Sequence, residues 1–124
     1  MKIIEDLKYT KEHEWINIKE GIGVVGVTDF AQTELGDVVF IELPNNGDIF
    51  SKDDVFGTIE AVKTVADLYI PVSGKIIEIN EKLESNPELI NTDPYGSGWI
   101  VKVELSEVSE IKSLLDHNDY KEAI

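Results

Sequence analysis

The side chains from which this chain could build chemistry are two histidines, twenty-five carboxylates and eleven basic residues, every one a lysine. It has no cysteine, which removes thiolate nucleophiles, thiolate metal sites and disulfide frameworks together. No redox centre can form unaided. Catalysis would have to lean on His13 beside Glu14, with His117 as the other imidazole. A base needs a nucleophile or substrate pocket, and a metal needs further ligands close by. The two histidines lie far apart in the chain, so the expected role of His13 is to order the start of the first strand. One cation stands out. The run TIEAVKTVADL, residues 58–68, sets Lys63 in a largely apolar segment of an acidic chain. A lysine there needs either an exposed turn or a chemical task.

The elements that must position it follow from periodicity and turn chemistry. Residues 14–19 alternate with the two-residue period of a half-buried strand and stop at Glu20-Gly21, so residues 23–27 form a hairpin with them. Thr28 or Asp29 can cap a short helix that Gly36 ends. Residues 37–43 are β-branched and aromatic, and Pro44-Asn45-Asn46-Gly47-Asp48 closes them. Residues 55–60 and 68–70 are the two arms around Lys63, which falls at the tip of their hairpin. Val62 and Val65 stiffen that turn through their restricted rotamers. Strands follow at 75–79 and 99–105, with a short helix over 81–91 between them and an amphipathic helical cap over 107–122 that carries Val108, Ile111, Leu114 and Leu115 at helical spacing. Trp15 and Trp99 are expected to be partly buried in the core. Residues 23–43 and 74–105 echo each other as two strand–helix–strand passages, which points to approximate two-fold symmetry.

The 124 residues suit a single domain, 1–124, with its core at about 7–105. The expected class is mainly β, a sandwich or barrel of short antiparallel strands with accessory helices. A net charge of −14 disfavours nucleic acid and anionic membrane surfaces, and serves solubility or steering toward basic partner proteins. Neither a signal peptide nor a membrane span is visible, so a soluble, cytoplasmic protein is expected.

Glu60-Ala61-Val62-Lys63, followed by Asp67 and Pro71-Val72-Ser73-Gly74, resembles the lipoyl-lysine segment of the glycine cleavage system H proteins. The resemblance extends through Tyr9-Thr10-Lys11-Glu12-His13-Glu14-Trp15, Gly26-Val27-Thr28-Asp29-Phe30-Ala31-Gln32, residues 35–44, Asn86-Pro87-Glu88-Leu89-Ile90-Asn91, Asp93-Pro94-Tyr95-Gly96 and Gly98-Trp99. It implies a lipoyl/biotinyl-carrier-like barrel-sandwich hybrid of two small antiparallel sheets with a C-terminal helix. It further implies lipoic acid held on Lys63 as N6-lipoyllysine, and a non-catalytic shuttle role. The implied partners are glycine decarboxylase (P protein), aminomethyltransferase (T protein), dihydrolipoamide dehydrogenase (L protein), and a lipoate ligase or octanoyltransferase. Glu14 and Asp67 match the family's carboxylates that line a cleft for the aminomethyl-loaded arm. A protonated amine there is a group that carboxylates can hold.

Three departures from the family pattern bear on the cleft and the loop: Glu12 adds a carboxylate, and Ala61 and Ala66 stand where many relatives have serine. Biotin carriers usually flank their lysine with methionines, where this chain has Val62 and Thr64, and the lipoyl domains of 2-oxoacid dehydrogenases usually show Asp-Lys-Ala. A lipoyl donor or relay for other lipoate-dependent enzymes is the alternative function within the same class. A structural or interaction protein of the same fold is the alternative outside it.

Overall fold

The computed structural model describes residues 2–124. Nine strands and four short helices run in the order β1 (Lys8–Tyr9), β2 (Glu14–Lys19), β3 (Ile22–Val27), α1 (Asp29–Leu35), β4 (Val38–Glu42), β5 (Ile49–Phe50), β6 (Val55–Ala61), β7 (Val65–Tyr69), β8 (Gly74–Ile79), α2 (Lys82–Ser85), α3 (Leu89–Thr92), β9 (Val101–Leu105) and α4 (His117–Ala123). They form two antiparallel sheets, one ordered β1-β2-β3-β9-β8-β5 and the other β4-β6-β7. The fold is therefore the mainly β, two-sheet architecture expected, closed by a C-terminal helix. No helix among the described residues is long and apolar enough to cross a membrane.

Alternation explains where the core lies. Ile16, Val25, Ile76, Val101 and Val103 of the larger sheet and Ile41, Ile59 and Leu68 of the smaller are sealed together. Burial of each such side chain contributes about 1.5–3 kcal/mol. Trp15 belongs to a second cluster with Leu7, Tyr9 and Tyr120, and Trp99 is half-buried under the Lys102 ammonium, 5.2 Å from its ring centre. The β2–β3 hairpin turns at Glu20-Gly21, both with positive φ (52° and 79°). That geometry follows the right-handed twist of the flanking strands.

Three expectations need correction. Residues 81–91 are not one helix but two single turns, α2 and α3. Pro87 lacks an N–H and drives Asn86 out of the helical region, to φ −130°. The tail is likewise not one amphipathic helix. A 3-10 turn at Val108–Ser113 leaves Val108 65% exposed, and Leu115 then pairs with Tyr9 as an isolated bridge before α4 begins. The anchor of α4 is Tyr120, a residue outside the apolar pattern that suggested the cap. Its ring stacks on Tyr9 at 4.5 Å with the planes 6° apart, and its hydroxyl meets Thr28 Oγ1 at 2.7 Å and His13 Nδ1 at 2.9 Å. The two strand–helix–strand passages also pair differently: β8 and β9 are neighbours, whereas β3 and β4 lie in different sheets.

Candidate functional site

The β6–β7 hairpin turns through Val62 and Lys63. The Ala61 N–H donates to the Thr64 carbonyl at 2.8 Å, and the Val62 N–H reaches outside the hairpin to the Asp37 carbonyl at 3.0 Å. None of Ala61, Val62, Lys63 or Thr64 has a positive φ. Lys63 is exposed, and its stem runs along Gly36 so closely that a Cβ built there would stand 3.2 Å from Lys63 Cε. Gly36 itself ends α1 at φ 78°, ψ −157°, with its N–H on the Gln32 carbonyl. Only glycine adopts that conformation readily. Asn91 fixes the segment from below, giving Nδ2 to the Gly36 carbonyl at 2.7 Å and taking the Val38 N–H on Oδ1 at 2.9 Å.

Beside this turn, where α1 ends, a cleft of about 170 Å³ opens between α1, the start of β2 and the edge of β7. Ala31, Leu35, Ile59 and Leu68 make its apolar walls, and Glu12, Glu14, Glu34 and Asp67 border it. The two acidic residues singled out in the sequence thus border one cleft in different settings. Asp67 is exposed. Glu14 is 2% exposed, accepts the Thr10 hydroxyl at 2.6 Å and the Tyr69 N–H at 3.2 Å, and spans the gap between β2 and β7. Burial outweighs those two hydrogen bonds and pushes its carboxyl up to about 8. Because the Tyr69 amide points away from β6, the two-residue period of β7 aims the Asp67 amide and carbonyl toward the cleft as well.

His13, at φ 70°, also lines the cleft, packed against Phe30 at 4.7 Å, and burial holds its imidazole below the ordinary range. It stands immediately before β2. No cluster of three or more potential metal ligands occurs among the described residues. Sequence reasoning missed Gly36, Thr10, Asn91 and the α1 wall. Gly36 and Asn91 act through contacts to distant segments, whereas Thr10 acts on Glu14 four residues along the chain.

Two packed antiparallel sheets with a hairpin that exposes one lysine at its turn define a protein of the lipoyl- and biotinyl-carrier fold class. Comparison narrows this. A family model described as glycine cleavage H-protein matches residues 7–124. Glycine cleavage system H proteins of Symbiobacterium thermophilum and Listeria monocytogenes are 60% identical over 115 residues and 52% identical over 124 residues, covering 93% and 100% of this chain and 90% and 99% of those proteins. The crystal structure of a glycine cleavage system H protein from Mycobacterium marinum superposes with a TM-score of 0.90 at 40% identity, covering 97% of each chain. This chain belongs to the glycine cleavage H-protein family.

Proposed function

We propose that Lys63 carries lipoic acid as an amide and that the chain serves as a shuttle. It takes the aminomethyl group of glycine from the decarboxylase to the aminomethyltransferase, and presents the dithiol to dihydrolipoamide dehydrogenase for reoxidation. The observation that carries this reading is the position of Lys63: an exposed amine on a backbone-tied turn, its stem laid on Gly36 next to the cleft that Glu14 and Asp67 share. The residues present fit the group. Amide formation removes the lysine's charge, so the product can lie on the apolar walls at Leu35, Ile59 and Leu68 that an ammonium would avoid. Bound there, the lipoyl group supplies the disulfide and thiol chemistry that a cysteine-free chain lacks.

The chain's own residues then act on whatever occupies the cleft. Asp67 offers a carboxylate at the exposed rim. Glu14 is protonated near neutral pH while no cation faces it, and an amine placed beside it favours the ionised form. A protonated amine therefore finds two carboxylates, one of which acquires its charge in response. Intact mass after incubation with a lipoate ligase, lipoate and MgATP tests the attachment. One lipoyl adduct is expected on the wild type and none on Lys63→Ala. An adduct that survives Lys63→Ala overturns the assignment.

A further inference from the structure

Strand β4 carries a bulge. Val38 faces Ala61 and Phe40 faces Glu60, so Val39 is the extra residue. A regular strand would turn Phe40 inward with Val38. The bulge instead brings Ile41 into the core, leaves Glu42 outside, and sets two consecutive apolar side chains on the outer face, Val39 at 51% and Phe40 at 53% exposure. Phe40, Glu60 and Val65 lie in one row across the three strands, with Glu42, Thr58 and Asp67 in the next. Phe40, Glu42, Thr58, Glu60 and Val65 of these rows line a shallow hollow of about 110 Å³. Val62, 75% exposed in the turn itself, extends the apolar surface to Lys63.

The charge around these exposed apolar side chains selects what could cover them. Strands β4, β6 and β7 contain no lysine, while Asp37, Glu42, Glu60 and Asp67 are all exposed around the apolar centre. A second copy would set these carboxylates against their own kind in a chain of net charge −14. A partner with an apolar hollow ringed by lysines and arginines fits instead. The task that most needs such a surface comes before any group is attached. An enzyme that acylates Lys63 must distinguish it from ten other lysine amines that are chemically alike, and Lys63 is the lysine carried on the β6–β7 turn of this sheet.

We propose that the outer face of the β4-β6-β7 sheet, centred on the bulge-exposed Phe40, is the docking surface for the acyl-transferring enzyme that modifies Lys63. The inference rests on the reading of Lys63 as the lipoyl acceptor. In the step served, the uncharged Lys63 amine attacks the carbonyl carbon of a lipoyl-adenylate. The C–N amide bond forms as the bond from that carbon to the phosphate oxygen breaks, AMP leaves with the electron pair, and the amine proton passes to water.

Acylation of the full-length chain by a lipoate ligase with lipoate and MgATP, followed by intact mass across acceptor concentrations, provides the test. Phe40→Ser raises the acceptor KM about tenfold or more with kcat little changed, as for an apolar anchor at an interface centre. Phe40→Leu recovers part of the loss, and Glu42→Lys weakens acceptance without touching the apolar centre. Ile49→Ser, which removes an exposed apolar residue from the other sheet, leaves KM unchanged. Thermal unfolding of each variant separates docking from folding, and Glu42→Lys carries the test should Phe40→Ser not fold. Wild-type KM in a folded Phe40→Ser or in Glu42→Lys overturns the docking surface while Lys63 stands as acceptor. So does sedimentation of the wild type as a dimer that Phe40→Ser dissociates. Absence of any wild-type adduct on Lys63 overturns both.

Discussion

The two principal hairpins turn their chains by different physics. The β2–β3 hairpin turns by its own backbone: Glu20 and Gly21 both take positive φ, the strands on either side pair without interruption from Glu14↔Val27 to Lys19↔Ile22, and the Gly21 carbonyl further accepts the Leu105 N–H of β9 at 2.9 Å. The β6–β7 hairpin has a β-branched residue and a lysine at its tip, none with positive φ. Turns of that sort do not match the strand twist, and this one is held from outside by the Asp37 carbonyl, the Gly36 shelf and Asn91 beneath them. A self-sufficient turn can sit anywhere. A turn that must present one amine in one place borrows its order from a neighbouring segment. Glu14 bolts the two hairpins together, opening β2 while accepting the Tyr69 N–H of β7.

That bolt gives the largest expected effect. The folded protein holds the Glu14 proton up to about pH 8, whereas the unfolded chain releases it near the ordinary value of 4.5. Stability from this group is therefore fully present below about 4.5 and is lost as pH rises through 8. Glu14→Gln keeps a neutral polar side chain and removes the titration. In urea unfolding at pH 5 and pH 8.5, the wild type should lose roughly 2–4 kcal/mol more than the variant between the two. Parallel behaviour of the two proteins would show that Glu14 is already ionised at the lower pH, and the link between the hairpins would have to be a charged one.

A second substitution separates the borrowed order from the intrinsic. Gly36→Ala places a side chain at φ 78°, ψ −157° and within 3.2 Å of Lys63 Cε, while Gly21→Ala meets only the left-handed backbone at φ 79°, with nothing within 4 Å of the added carbon. Both should lower stability, Gly36→Ala by about 2–3 kcal/mol and Gly21→Ala by about 1 kcal/mol. Gly36→Ala alone should also slow acylation of Lys63, because it moves the surface on which the lysine lies. Equal acylation rates would mean that the shelf positions nothing.

The same contrast marks how far the sequence could be read. Residues 14–27 announced a hairpin through alternation and Glu20-Gly21, and the hairpin formed as expected. Lys63 was conspicuous because it interrupted an apolar run, and the two-sheet fold followed from strand patterning together with a family resemblance. Hidden from the sequence were features that depend on segments meeting across the fold. Gly36 reads as an ordinary helix end, and Asn91 as the last residue of a short helix. The bulge at Val39 was invisible because VVFIE satisfies a strand pattern on either register. The tail misled for a related reason: its leucines and isoleucines have helical spacing, yet the strongest anchor is the aromatic Tyr120, whose partner Tyr9 lies at the opposite end of the chain.

The smallest expected effect belongs to the self-sufficient turn. Glu20 holds φ 52° without being glycine, a conformation that asparagine tolerates better because its short polar side chain can bond locally. Glu20→Asn should therefore raise stability by a few tenths to about 1 kcal/mol. Because the β2–β3 turn takes no support from the Lys63 region, the change should leave acylation kinetics as they are. Chemical denaturation and intact-mass time courses on the same preparation measure both. A gain in stability with unaltered acylation would confirm that the two turns are energetically separate. A change in acylation would show that Glu14, at the far end of the same strand, transmits the state of one hairpin to the other.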